Sequence, residues 1–163
     1  MGVATVAEGM KVGKNSDIMD ARCVTLDIAA RKKEDVITEL VTLLCDAGKL
    51  DGVERYVEEV LAREKISSTG IGQGIAIPHR LVTGVNEIMI AVGRDVKGIP
   101  FDSVDNKPVH LIFLIIGPQG RNNEYLKVLS RLSSHLNDRS FFEALMRVEE
   151  PEEVIELIKK REG

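Results

Sequence analysis

Residues 67–80 read SSTGIGQGIAIPHR: three hydroxyls, three glycines at alternate positions, a short apolar run, and a histidine directly after a proline. A glycine-rich turn lets backbone N–H groups approach an anion closely, and an imidazole can accept a proton or a phosphoryl group. Gly70, Gly72 and Gly74 do not make a dinucleotide fingerprint, which needs G-x-G-x-x-G after a strand and at the start of a helix. Here a helical pattern leads in, and IAIP leads out as an extended segment, because Pro78 biases Ile77 away from helical angles. No G-x-x-x-x-G-K occurs, so a P-loop nucleotide site is unsupported. The chemistry that fits is a phosphate held beside Ser67, Ser68 and Thr69 and visiting His79. The alternative is a tight bend followed by an ordinary surface histidine.

The elements that must position this loop follow from hydrophobic spacing. Val36, Ile37, Leu40, Val41, Leu43 and Leu44 recur at helical intervals over 34–48, and Val53, Val57, Val60 and Leu61 repeat the pattern over 52–65. Two helices therefore precede the loop. After it, EIMIAVGR (87–94) and PVHLIFLII (108–116) are β-branched apolar runs. The second lacks alternation, as expected of a strand buried on both faces. NNEYLKVLSRLSSHL then opens a helix with Asn122 or Asn123 as its N-cap and Glu124 in the first turn. The final helix starts at Pro151 beside Glu152 and Glu153 and ends in Lys159, Lys160 and Arg161, charges that complement the helix dipole. The expected fold is an α/β single-domain sandwich, a mixed β-sheet flanked by helices on both faces. Residues 1–17 have no periodicity and are read as a flexible tail, leaving 18–163 as the domain.

Whole-chain properties limit the function classes. At 163 residues the chain suits one domain that buries roughly two-thirds of its unfolded surface. A net charge of -4 argues against general nucleic-acid binding, which needs a basic footprint. No apolar run approaches the ~20 residues of a membrane span, and the first residues lack the apolar segment of a signal peptide, so a cytoplasmic location without membrane insertion is expected. Cys23 and Cys45 lie outside any CxxC and read as reduced thiols. With three histidines and no pair at short helical spacing, no metal site is expected.

The run REKISSTGIGQGIAIPH, from Arg63 to His79, resembles the active-site signature of enzyme IIA proteins of the mannitol and fructose class of the bacterial phosphotransferase system, including its nitrogen-regulatory branch. NKPVHLIFLIIGP and RNNEYLKVLSRLSSHLND are similar to that family's central strand and following helix, so the likeness spans about 18–160. The resemblance implies that His79 accepts a phosphoryl group from the phosphocarrier HPr, or its nitrogen-branch paralogue, and passes it to a cysteine of enzyme IIB. It implies that Arg63 balances charge at the phosphohistidine and that Thr69, Gly72 and Gln73 lie in a loop of supporting polar contacts. No metal or cofactor is implied.

Two positions depart from the family pattern. Tyr125 stands where a second histidine is usual, and its spacing with Leu129, Leu132 and Leu136 places it on the inward face of its helix. Its hydroxyl would reach a phosphate or orient His79, or else it is a packed core tyrosine. Arg80 replaces a residue that is usually small, and its guanidinium would either add phosphate affinity or alter the docking surface. His110, inside the apolar strand, and His135, flanking a leucine face, read as structural. Three functions stay open: a phosphoryl carrier of the nitrogen-regulatory type, a sugar-transport component donating to IIB for fructose or mannitol uptake, and a non-catalytic regulatory binding protein. Nucleotide binding through the loop would instead require ATP or NAD to protect the fold thermally.

Overall fold

A computed structural model describes residues 14–163. Residues 1–13, most of the expected tail, lie outside the described residues. Lys14 to Asp17 do not behave as tail. Asn15–Ile18 form a 3₁₀ turn; the Asn15 N–H donates to Glu162 Oε2 (2.8 Å) and its side-chain amide to the Val128 carbonyl (3.1 Å). Asn15 is fully buried by these contacts. The sequence hides this because the polar stretch has no periodicity and its partners lie 113 and 147 residues away.

Six strands and five helices follow among the described residues: β1 (Met19–Thr25), α1 (Lys33–Asp46), α2 (Val53–Glu64), β2 (Gly70–Gly72), β3 (Ile75–Ala76), β4 (His79–Val82), β5 (Met89–Ile99), β6 (Val109–Pro118), α3 (Asn122–Leu136), α4 (Arg139–Arg147) and α5 (Pro151–Glu162). The sheet runs β1-β5-β6-β3-β2, with β4 also paired to β6. β5 and β6 are antiparallel, whereas β1 on β5 and both β3 and β4 on β6 are parallel, so the sheet is mixed as expected. β6 is almost entirely buried, which its uninterrupted apolar run requires when both faces are covered. On one face Val36, Ile37, Leu40, Val41 and Leu44 of α1 pack with Tyr56 and Val60 of α2 against Ala91, Ile112 and Leu114. On the other, Tyr125, Val128 and Leu132 of α3 pack with Phe141, Leu145, Val154 and Ile158 against Ile75, Ile77, Phe113 and Ile115.

Three local features differ from expectation. β1 has no apolar alternation because Asp20 and Arg22 are paired at 2.7 Å on an edge strand, and such a segment carries little strand signal. β5 continues past Arg94 to Ile99 through an irregular register. Arg94 itself is buried: its Nη1 donates to the carbonyls of Leu145, Met146 and Val148, groups that the end of α4 leaves without helical partners. The N-cap of α3 is Arg121, with Asn122 and Asn123 inside the first turn.

Candidate functional site

His79 is the first residue of β4, half-buried and paired with Ile115 of β6. Residues alternate across the sheet, so His79 shares a face with Ile75 and Ile77, the face covered by α3. Its Nδ1 lies 2.7 Å from the Ile77 carbonyl oxygen. A carbonyl only accepts, so the neutral ring carries its proton on Nδ1 and leaves the Nε2 lone pair free. Burial pushes the His79 pKa below its ordinary 6.5; the Ile77 bond opposes this, the Arg63 charge adds to it, and Glu64 opposes it. The ring is therefore neutral at neutral pH. This shift has a consequence for stability. The unfolded histidine protonates first as pH falls below about 6.5, while the folded ring resists, so folding stability is present above that value and is lost as pH drops toward the folded pKa. His135 is shifted in the same direction by its own burial. Thermal melts from pH 7.5 to 5 are expected to show this loss, and His79→Gln to show a shallower one; identical slopes would contradict the shift.

Tyr125 sits in the first turn of α3, its ring centroid 6.0 Å from that of His79. Gly117 allows this approach, since a Cβ there would meet Tyr125 Cδ1 at 3.0 Å. Only 5% of the residue is exposed, and its buried hydroxyl has no hydrogen-bond partner. Burial raises its pKa well above the usual phenol value, against the pull of the Arg63 and Arg80 charges, so the O–H stays protonated and available as a donor. Both guanidiniums thus act on the tyrosine beside His79. Arg63, in the last turn of α2, donates from Nη1 to the Ser67 carbonyl (3.0 Å). Arg80 follows His79 on β4 and is held by Glu59 of α2 at 3.1 Å, both side chains about one-third exposed.

His79 and Tyr125 come together and the Arg63 and Arg80 charges reach them, but the glycine loop divides. Thr69 is buried, and both its N–H and its hydroxyl donate to Glu64, so both of its donors are already engaged. Gly72 and Gln73 are not brought to His79. Gly72 pairs with Ile75, and Gln73 and Gly74 between them have φ of +58° and +84°, the pattern of a two-residue type I′ hairpin. The start of β3 lies opposite Leu111 and His79 opposite Ile115, four residues or roughly 13 Å further along β6. The Gln73 N–H donates to Asp105 Oδ2 (3.0 Å) and its carbonyl accepts from Arg139 (3.0 Å). Gly70, in turn, clears Ser103, whose Oγ would stand 2.4 Å from an added Cβ. The alternate glycines therefore build a hairpin and a close contact, not an anion cradle beside the histidine.

Sequence spacing singled out neither Glu64 nor Lys33, which form a buried ion pair at 2.6 Å, with Glu64 the residue after Arg63. Each belongs to an ordinary helix end, and their pairing depends on how α1 meets α2. His110 bonds the Asp95 carbonyl at the far end of β6, and His135 lies on α3 against Phe141, so neither joins the site. Among the described residues no group of three or more His, Cys, Asp or Glu is arranged to hold a metal.

The family model described as "Phosphoenolpyruvate-dependent sugar phosphotransferase system, EIIA 2" matches residues 17–161. The chain is 40% identical over 91% of its length to the fructose-specific EIIABC component of Bacillus subtilis, of which it spans 24%. It superposes on the nitrogen regulatory protein IIA-Ntr of Neisseria meningitidis with a TM-score of 0.83 and 35% identity, covering 88% of this chain and 97% of that one. A complex of mannitol enzyme IIA with phosphorylated enzyme IIB from Escherichia coli is similar at a TM-score of 0.72 and 27% identity, over 87% of this chain and 97% of its own.

Proposed function

The chain belongs to the EIIA 2 family of the phosphoenolpyruvate-dependent sugar phosphotransferase system, and from that premise we propose that it is a phosphoryl carrier whose acceptor is His79 Nε2. The observation that carries this reading is the Nδ1 bond to the Ile77 carbonyl, which leaves Nε2 unprotonated on a ring whose neighbour, Tyr125, has an unpartnered hydroxyl. In the proposed step the P–N bond on a donor phosphohistidine, that of HPr or its nitrogen-branch paralogue, breaks as a P–N bond to Nε2 forms. The proton stays on Nδ1, hydrogen-bonded to the Ile77 carbonyl. Such transfers pass through a loose transition state, so positioning and charge stabilisation do most of the catalysis. Arg63 is the cation aimed at the equatorial oxygens, Tyr125 donates to one of them, and Arg80 supplies a second positive charge once it leaves Glu59. No metal or cofactor enters this scheme.

From His79 the group passes to a cysteine thiolate of enzyme IIB; a complex of the similar mannitol enzyme IIA with phosphorylated enzyme IIB supports that partner class. A second use of the same phosphohistidine, as a charge switch on a docking face, is favoured by the overlap with the nitrogen regulatory protein. Both uses belong to the cytoplasm. Among the described residues no helix is long and apolar enough to cross a membrane.

The reading is tested by intact-mass analysis after incubation with phosphoenolpyruvate, enzyme I and HPr. One acid-labile phosphoryl group supports it, and none overturns it. Adding a IIB acceptor then separates the relay, which unloads the chain, from the switch, which does not. Tyr125→Phe separates the donor role of the hydroxyl from packing. It removes a buried group that has no partner, so stability is expected to hold or to rise by up to about 1 kcal/mol. Phosphorylation is expected to slow roughly tenfold, the loss of one charge-assisted bond. A destabilised variant with an unchanged rate would make Tyr125 a core residue only.

A further inference from the structure

The most heavily bonded group near the site is one that the proposed chemistry does not use. Glu64, the last residue of α2, has a side chain only 3% exposed. Its two oxygens accept from the Thr69 N–H at 3.2 and 3.1 Å, Oε1 also accepts from the Thr69 hydroxyl, and Oε2 meets Lys33 Nζ at 2.6 Å. Lys33 is itself 12% exposed, the first residue of α1, and lies 4.9 Å over the Phe101 ring. Phe101 returns the tie, since its carbonyl accepts from Ser68 Oγ at 2.8 Å and that oxygen accepts from the Gly70 N–H at 3.0 Å.

A buried ion pair is a weak source of stability compared with apolar residues of the same volume. What it supplies here is position. The bonds from Glu64 to Thr69 close the turn formed by residues 65–68 into a fixed loop between α2 and β2. That turn carries the Ser67 carbonyl, which accepts from Arg63 Nη1 at 3.0 Å. Arg63 therefore has its backbone fixed by the helix end that Glu64 anchors and its guanidinium fixed by a carbonyl on the loop that Glu64 closes. On the other side of the loop, the Thr69 carbonyl accepts from the Ile77 N–H at 3.0 Å, and the Ile77 carbonyl holds His79 Nδ1. That tie is backbone to backbone, so the Glu64 carboxylate acts on the cation and leaves the acceptor ring to β4.

We propose that Glu64, locked by Lys33, is the positioning residue of the site: through Thr69 and the 65–68 turn it holds the Arg63 guanidinium in register with His79. This rests on the phosphoryl-carrier reading above and adds to it the device that sets the geometry. Arg63 can stabilise a transferring phosphoryl group only if it is already aimed there, and displacement by about 1 Å can cost on the order of 100-fold in rate.

The test compares the native chain with Glu64→Gln, Thr69→Val and Arg63→Ala, and with each of the first two combined with Arg63→Ala. The readout is the phosphorylation rate as a function of phosphorylated HPr concentration. Glu64→Gln is expected to lower the rate at saturating donor roughly 10- to 100-fold while leaving the donor KM unchanged, because the docking surface is untouched. In the Arg63→Ala background the same change is expected to lower the rate no further, since a residue that acts only through Arg63 has nothing left to position. Thr69→Val keeps the ion pair and carries the same test if Glu64→Gln does not fold. A native rate in the folded variants, or losses that multiply with that of Arg63→Ala, would overturn the proposal. A native chain that takes up no phosphoryl group overturns the carrier reading itself, and is seen before any variant is compared.

Discussion

His79→Ala is expected to take up no phosphoryl group under conditions in which the native chain takes up one. The loss is complete rather than partial because no other imidazole offers the same arrangement. His110 sits at the opposite end of β6, and the His135 Nε2 is buried against α4 without access to a donor protein. The fold is expected to survive the change, since His79 is half-buried on a sheet edge and its one side-chain bond, to Ile77, is worth about 1 kcal/mol. Intact mass combined with a thermal melt distinguishes the two effects. A folded His79→Ala protein that still acquires an acid-labile phosphoryl group would move the acceptor elsewhere. His79→Gln is expected to behave alike toward phosphate, because the lone pair of an amide nitrogen is delocalised into its carbonyl and does not attack phosphorus.

Much of this arrangement is legible in the sequence, and the part that is not has a physical reason. α1, α2 and the buried β6 announce themselves because burial on one or two faces writes a 3.6-residue period or an unbroken apolar run. Tyr125 is legible as inward-facing for the same reason, through its spacing with Leu129, Leu132 and Leu136. β1 is silent because an edge strand tolerates Asp20 and Arg22. The glycine loop is misread in one respect: alternate glycines before a histidine suggest an anion cradle, but Gly72 and Gly74 belong to a hairpin turn that points down β6, away from His79. The sequence shows that the backbone must bend there without showing which end of the neighbouring strand the bend faces. Glu64 is silent for the opposite reason. Its role arises where the ends of two helices and a loop converge, and no one-dimensional period records that meeting.

Arg63→Ala is expected to slow phosphoryl transfer on the order of 100-fold while leaving the protein folded and docked. The phosphoryl group spreads its charge over three equatorial oxygens at the moment of transfer, so a cation fixed beforehand stabilises that state more than it stabilises the resting imidazole. Arg63 is fixed in this way by the Ser67 carbonyl, whereas Arg80 is held by Glu59 and must first give up that bond. Arg80→Ala is accordingly expected to have the smaller effect, and the ratio of the two rates measures how much preorganisation contributes. Arg63→Lys is the sharper probe. An ammonium keeps the charge but not the planar fork, so it cannot donate to the Ser67 carbonyl and to a phosphoryl oxygen in the fixed geometry of a guanidinium. If charge alone were sufficient, Arg63→Lys would transfer at the native rate; if the fork matters, it falls most of the way toward Arg63→Ala. An Arg63→Ala protein with native kinetics would remove Arg63 from the site and leave Tyr125 and Arg80 as the groups that meet the phosphate.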